Sequence, residues 1–235
     1  MRNRNDPRQY DELVTEWWKP DGVFAMLHWL AKSRGALVPP ATGDSVLVDL
    51  GCGGGLTAPH VTGYRHIGVD LRQPNLSVAA HHGVVGIRGD AQRVPLADEC
   101  ADVVLAGEIL EHVEDWRACV AEACRLLRPG GTLIVDTIAD TALARLVAVR
   151  LAERVPGGPP PGIHDPALFV PPKGLVAECA RHGVALRTWG VRPAIIPALR
   201  WLRTRRDGVP MVSTRSHSIL YAGRGVKHAP STSAR

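Results

Sequence analysis

Val48-Asp49-Leu50-Gly51-Cys52-Gly53-Gly54-Gly55-Leu56 runs an apolar strand into a glycine turn, with an acidic residue just ahead of it. Val46, Leu47 and Val48 read as a short buried strand. Gly51 can take positive φ, and Gly53 lets backbone N–H groups approach a ligand with no Cβ in the way. The turn is expected to open a helix, whose N-terminal dipole favours a carboxylate or phosphate. A glycine turn alone is a weak signal, because many loops carry glycines for turn geometry only.

Working outward, the neighbouring strands decide the matter. His66-Ile67-Gly68-Val69 reads as a second strand ending in Asp70, followed by Leu71. Asp70 falls about 20 residues after the first glycine, where a doubly wound sheet sets an acid on ribose hydroxyls. A third segment, Val84 to Arg88, ends in Gly89-Asp90-Ala91, and a fourth, Asp102 to Ala106, ends in Gly107-Glu108. Four strand ends then converge on one crevice. The turn lacks the third glycine of the dinucleotide fingerprint at its usual place, which argues against a pyrophosphate ligand.

Composition bounds the answer. A chain of 235 residues, 45% hydrophobic, is long enough for a single well-buried α/β domain. Lys+Arg 28 against Asp+Glu 23 gives a net charge of +5, a mild excess that fits nucleic acid, an anionic membrane surface or plain solubility. The five cysteines are scattered without zinc-ribbon spacing, which points to a reduced, cytoplasmic setting. No signal peptide precedes Pro7, and no apolar run reaches about 18 residues, so the chain is expected to be soluble or peripheral.

Along the chain, Asp6-Pro7 opens a helical stretch through Trp17-Trp18, and a second runs from Val23 to Arg34. These helices, within residues 1–43, are expected to form a lid. Strand and helix patterns then alternate over 44–138, which argues for a parallel sheet with right-handed crossovers. Trp116, Val120, Ala123 and Leu127 repeat at helical spacing, Pro129-Gly130-Gly131 stops them, and Thr132 to Ile138 supply a fifth strand. An insertion over 139–174 begins with a helix, Thr141 to Val155, and continues through the Pro/Gly-rich segment Pro156 to Gly162; it is expected to cover a site. Its Arg145, Arg150 and Arg154 alternate with Leu143, Leu146, Val147 and Leu151, a pattern that either packs on the domain or rests on an anionic membrane. Arg187 to Arg192 and Ser216 to Gly223, within 175–224, read as closing strands, and 225–235 as a frayed tail.

The chemical centre is Gly107-Glu108-Ile109-Leu110-Glu111-His112-Val113. In a helical turn Glu108 and Glu111 share a face at i, i+3, with His112 one turn on from Glu108. Two carboxylates suit Mg²⁺, and carboxylates with imidazole also suit Zn²⁺ or Mn²⁺. Without a metal, the acid caps a helix and His112 lines the pocket, where it could act as a general base.

The turn, with Asp49, Asp70, Gly89-Asp90-Ala91 and the later Leu126-Leu127-Arg128-Pro129-Gly130-Gly131, resembles the class I S-adenosylmethionine-dependent methyltransferases over residues 44 to 138. That resemblance implies an α/β, doubly wound, mostly parallel seven-stranded sheet. A narrower one, to the ubiquinone-biosynthesis O-methyltransferases, covers nearly the whole chain. Trp17-Trp18-Lys19-Pro20-Asp21-Gly22 is similar to that family's Trp-Trp-Asp-Pro-Glu-Gly, and Phe24, Leu27, His28 and Arg34 match its following segment. Glu108-x-x-Glu111-His112 is similar to its metal motif, and Gly162-Ile163-His164-Asp165 with Phe169 and Pro171 to a downstream one. Lys19 replaces an acidic residue of the family pattern, and Gly107 sits where a larger side chain is common.

The resemblance implies that Arg34, Gly51, Asp70 and Gly107 contact S-adenosylmethionine, and that Glu108, Glu111 and His112 hold a divalent ion. Asp49 would organise the amino-acid end of the cofactor, Gly51, Cys52 and Gly53 would approach its polar end, Asp70 and Leu71 would meet the ribose, and Asp90 and Ala91 would border adenine. The expected acceptor is a small aromatic molecule, a catechol or a polyprenylated quinol precursor, with no nucleic acid as partner. The rival reading is a methyltransferase of nucleic acid or protein, suggested by six arginines that alternate with Trp189 and Trp201 over Arg187 to Arg206. A silent cofactor-binding protein would leave the acidic cluster unexplained. The sequence leaves the oligomeric state open.

Overall fold

A computed structural model describes residues 4–154 and 158–229. The strands β1 (Val46–Leu50), β2 (Arg65–Asp70), β3 (Val85–Arg88), β4 (Ala101–Gly107) and β5 (Leu127–Ile138) pair in parallel, and β6 (Val184–Pro193), β7 (Met211–Thr214) and β8 (Leu220–Lys227) extend the sheet. The order is β3-β2-β1-β4-β5-β8-β6-β7, with β8 antiparallel to both β5 and β6. The order reverses between β2 and β4, which flank β1, and a crevice opens at the carboxyl ends of the strands there. Val48, Leu50, Val104, Ala106, Leu133 and Val135 are buried, because helices cover both faces of the parallel part of the sheet.

Helix α4 (Trp116–Leu126) shows why these residues form these elements. Its cap Asp115 accepts from the backbone N–H of Arg117 and Ala118, and its Trp116, Val120, Ala123 and Cys124 face the sheet core. The chain passes directly from α4 into β5, within which Gly130 takes φ +81°. Toward the amino terminus lie α1 (Gln9–Glu12), a 3₁₀ turn (Val14–Glu16) and α2 (Ala25–Gly35), where a longer helix through Trp17-Trp18 is expected from the sequence.

Several expectations are corrected. The sheet has eight strands rather than seven; the extra one, β7, pairs antiparallel with β6 at the edge. No α-helix follows the glycine turn. Gly51, Gly53 and Gly55 all take positive φ, which breaks helical repetition, and only a 3₁₀ turn, Ala58–His60, follows. The start of the expected frayed tail is instead paired: Gly225 and Val226 pair with Leu133 and Thr132, and Lys227 donates to the carbonyl of Leu127. Residues 230–235 lie outside the described residues.

The insertion helix exists as Ala142–Ala144, then a π-helical stretch Arg145–Leu151, then a 3₁₀ turn Ala152–Arg154; Val155, Pro156 and Gly157 lie outside the described residues. Ala144 and Ala148 pack on Ile138, Phe169 and Leu220, whereas Leu143, Leu146 and Leu151 are exposed. Helices α3 (Gln73–Ala80), α6 (Pro172–Arg181) and α7 (Ile195–Thr204) complete the fold. No helix among the described residues is long and apolar enough to cross a membrane.

Candidate active site

The crevice is lined from three directions. The glycine turn contributes Gly51, Cys52 and Gly53, the ends of β1 and β2 contribute Asp49, Asp70 and Leu71, and the turn after β3 contributes Asp90 and Ala91. Gly107, Glu108, Ile109 and His112 follow β4, and the amino-terminal region and insertion add Asn5, Tyr10, Arg34, Pro160, Ile163 and His164. Every residue expected to meet the cofactor therefore borders one cavity.

Asp70 is held at both oxygens. Its Oδ2 accepts from the N–H of Gly53 at 3.0 Å, and its Oδ1 accepts from the N–H of Arg72 at 2.8 Å and the amide of Asn75 at 3.3 Å. Burial raises its pKa, and these donors offset part of the rise. Asp90 Oδ1 accepts from the N–H of Gln92 at 2.8 Å and so fixes the turn that presents Ala91. Asp49 is buried, with Oδ2 3.5 Å from Nε2 of His66. The backbone approach expected at Gly53 has another occupant: a Cβ there would lie 2.4 Å from the Trp17 ring.

Arg34 is buried against Asp136 at the end of β5. Its Nε donates to Oδ2 at 2.6 Å, Nη2 to Oδ1 at 2.7 Å, and Nη1 to the Thr57 hydroxyl at 3.1 Å. Burial alone would lower its pKa, but the Asp136 carboxylate overrides this and holds the guanidinium charged. Gly107 is small for a reason visible here: a Cβ would stand 1.9 Å from Cζ of Arg34.

The segment after β4 is not helical, so the expected shared face of Glu108 and Glu111 is corrected. Glu108 takes φ +51° and residues 110–112 form a turn, so the two are not set at i, i+3 on a helix. Glu111 is fully buried and its Oε2 accepts from the Thr137 hydroxyl at 2.7 Å. Burial raises its pKa to about 7, with Thr137 pulling the other way. Burial also raises Glu108 well above the carboxylate range, helped by the charges of Glu111 and Asp136.

Among the described residues, no three His, Cys, Asp or Glu side chains stand together as a ready metal-ligand set. Glu108 Oε1 and Glu111 Oε1 are nevertheless buried without a hydrogen-bond partner, and two such oxygens are the donor chemistry a hard divalent cation takes. Residues that fit a cation are thus present, without being gathered around one.

His112 has partners of its own. Its Nδ1 lies 2.6 Å from Asn5 Oδ1, its Nε2 is 3.5 Å from the Tyr10 hydroxyl, and its ring stacks on His164 at 5.4 Å. Burial, and then the charge of His164, push its pKa down to about 3, so the ring is neutral at ordinary pH. Burial, and then the nearby Glu111, push the Tyr10 phenol up, so it keeps its proton. Asn5, Tyr10, Trp17, Thr57 and Asp136 are site residues that sequence reasoning missed. Two carried a signal: Asp136 as an acid at a strand end, and Trp17 as part of the Trp-Trp motif.

Comparisons with known proteins identify the family. Residues 48–135 match the family described as Methyltransferase domain. The ubiquinone biosynthesis O-methyltransferase of Caulobacter vibrioides is 32% identical over 206 residues, covering 77% of this chain and 81% of that protein. The protein of the same name from Thiobacillus denitrificans is 37% identical over 188 residues, covering 75% and 81%. A solved Thermotoga maritima methyltransferase, described as a possible histamine N-methyltransferase, superposes with a TM-score of 0.68 at 22% identity, covering 93% of this chain and 97% of that one. That likeness speaks for the fold alone. The chain belongs to the ubiquinone biosynthesis O-methyltransferase family and is an S-adenosylmethionine-dependent O-methyltransferase.

Proposed function

We propose that the chain transfers the methyl group of S-adenosylmethionine to a hydroxyl of a catechol-like or polyprenylated phenol or quinol. The observation that carries this reading is one cleft lined both by the glycine turn with Asp70 and Asp90 and by His112 with Tyr10 and Glu108. The first set suits the donor and the second an acidic hydroxyl. The relatives' names support a ubiquinone precursor as acceptor. In the insertion, exposed Leu143, Leu146 and Leu151 interleave with arginines, which supports delivery of a lipid-tailed acceptor from an anionic membrane surface.

The sulfonium already carries a good leaving group, so the protein must chiefly align and deprotonate the nucleophile. Alignment alone supplies up to about 7–11 kcal/mol when the reacting atoms are held in line. The acceptor oxygen attacks the methyl carbon, the C–S electron pair leaves on sulfur, and the hydroxyl proton passes to Nε2 of His112. The imidazole, depressed to about 3, is too weak to ionise a phenol beforehand. The proton therefore moves as the O–C bond forms and the oxygen turns acidic.

In the alternative to His112 acting as base, Glu108 and Glu111 would hold a divalent ion through their unpartnered oxygens, with His112 as a further donor. Such an ion (Mg²⁺, Mn²⁺ or Zn²⁺) supplies Lewis-acid polarisation of the acceptor oxygen when bound. The test is a turnover screen with an isotope-labelled methyl donor against catechols with and without prenyl tails, with and without metal. Labelled ether products support the reading; bound cofactor with no transfer to any catechol refutes it.

A further inference from the structure

The amino-terminal arm does more than cover the cleft. Arg4 donates through Nε to the carbonyl of His164 at 2.6 Å and pairs through Nη2 with Glu153 at 2.5 Å. The Asn5 N–H donates to the carbonyl of Gly162 at 2.9 Å. These contacts tie residues 4 and 5 to the insertion, and they set the Asn5 side chain against His112 from outside the sheet. Asn5 takes φ +59°, a left-handed conformation that asparagine tolerates better than most residues.

The clamp on His112 has two points. Asn5 Nδ2 donates to the backbone carbonyl of His112 at 2.9 Å, while Oδ1 faces ring Nδ1 at 2.6 Å. A carbonyl oxygen only accepts, so the amide nitrogen must be the group facing it, and the orientation of the amide follows. The amide oxygen then faces the ring, and it too only accepts. Ring Nδ1 must therefore carry the proton, which leaves Nε2 with its lone pair toward the Tyr10 hydroxyl and the cleft.

We propose that Asn5 is a positioning residue that fixes both the Nδ1–H tautomer and the direction of the His112 ring. The proposal rests on the reading of His112 as the group that meets the acceptor hydroxyl. Without Asn5 the ring is free to put its proton on Nε2, where it can neither take a proton nor ligate an ion. An orienting partner of this kind is worth about 10–100-fold in activity. The fold does not need it for that purpose, since Arg4 and the Asn5 backbone anchor the arm independently of the Asn5 amide.

The test uses the full chain and two variants. Nitrogen-15 NMR of the histidine rings is expected to find His112 as the Nδ1–H tautomer in the wild type. Asn5→Leu is expected to shift it toward Nε2–H and to lower kcat about 10–100-fold, with KM for S-adenosylmethionine unchanged. Asn5→Asp keeps an acceptor for Nδ1–H and is expected to retain the tautomer and recover part of kcat. An Nε2–H ring in the wild type overturns the proposal, and so does an Asn5→Leu variant with unchanged tautomer and kcat. Should Asn5→Leu not fold, the wild-type tautomer and the Asn5→Asp comparison decide. The tautomer is read without turnover, so an inactive wild type would sink the acceptor assignment while leaving this test intact.

Discussion

Arg34 and Asp136 join the amino-terminal helix to the last parallel strand by a bidentate pair at 2.6 and 2.7 Å, seated in space that Gly107 leaves open. Both side chains are buried. Removing one member of such a pair leaves the other charge uncompensated in a poorly solvating place. Asp136→Ala is expected to cost about 3–5 kcal/mol in urea unfolding. A loss below about 1 kcal/mol would mean that water reaches the guanidinium.

Gly107 gives a second check on the same corner. A methyl group there meets Cζ of Arg34 at 1.9 Å, too close for accommodation without moving the guanidinium off Asp136. Gly107→Ala is expected to destabilise by about 1–3 kcal/mol and to weaken cofactor binding measured by calorimetry. Unchanged affinity would place the donor's polar end away from Arg34.

The two ends of the cleft should separate under mutation. Glu111→Ala and His112→Ala are expected to abolish turnover with cofactor affinity nearly intact, because both lie beyond β4 rather than in the glycine turn. Asp70→Ala is expected to weaken cofactor binding, since both its oxygens are committed to the donor side of the cleft. Titration calorimetry on the three variants decides, and a collapse of affinity at His112→Ala would contradict the division.

Stability should depend on pH through Glu111. Burial raises its carboxyl to about 7, above the unfolded value, so the native state binds more protons than the unfolded chain. Its contribution is full below about pH 4, the unfolded carboxyl range, and is lost as pH rises through about 7. In chelator-treated protein, the wild type is expected to lose on the order of 1–3 kcal/mol more than Glu111→Gln between about pH 5 and about pH 8. Parallel pH curves for the two proteins would show that Glu111 ionises freely in the native state.

Chelation bears on the remaining chemistry. Treatment with a strong chelator is expected to slow turnover, with recovery on adding Mg²⁺, Mn²⁺ or Zn²⁺. Unchanged rates would leave His112 acting as base without an ion.

The parallel half of the sheet was legible because each strand ends in an unambiguous acid or glycine at the carboxyl edge: Asp49, Asp70, Asp90 and Gly107. Local pattern carries that information. β7 was not legible, since Met211–Thr214 is a four-residue edge strand with no alternation, formed only because β6 is already there to pair with it. The spacing of Glu108 and Glu111 suggested a helical turn, but the positive φ at Glu108 follows from how β4 ends against β5, where its N–H donates to the carbonyl of Asp136 at 2.8 Å. Asn5 and Tyr10 reach His112 across about a hundred residues of chain, at separations of 107 and 102, and nothing in either local sequence announces that meeting.

The glycines of the turn after β1 answer to different neighbours: Gly51 to the Ile109 side chain, Gly53 and Gly54 to the Trp17 indole, and Gly55 to Ala79 and Val84. An alanine scan of this loop would therefore report displaced hydrophobic side chains before it reported any lost ligand contact. Engineering a new donor preference here calls for varying residue 17 together with 53 and 54, as a single unit of shape.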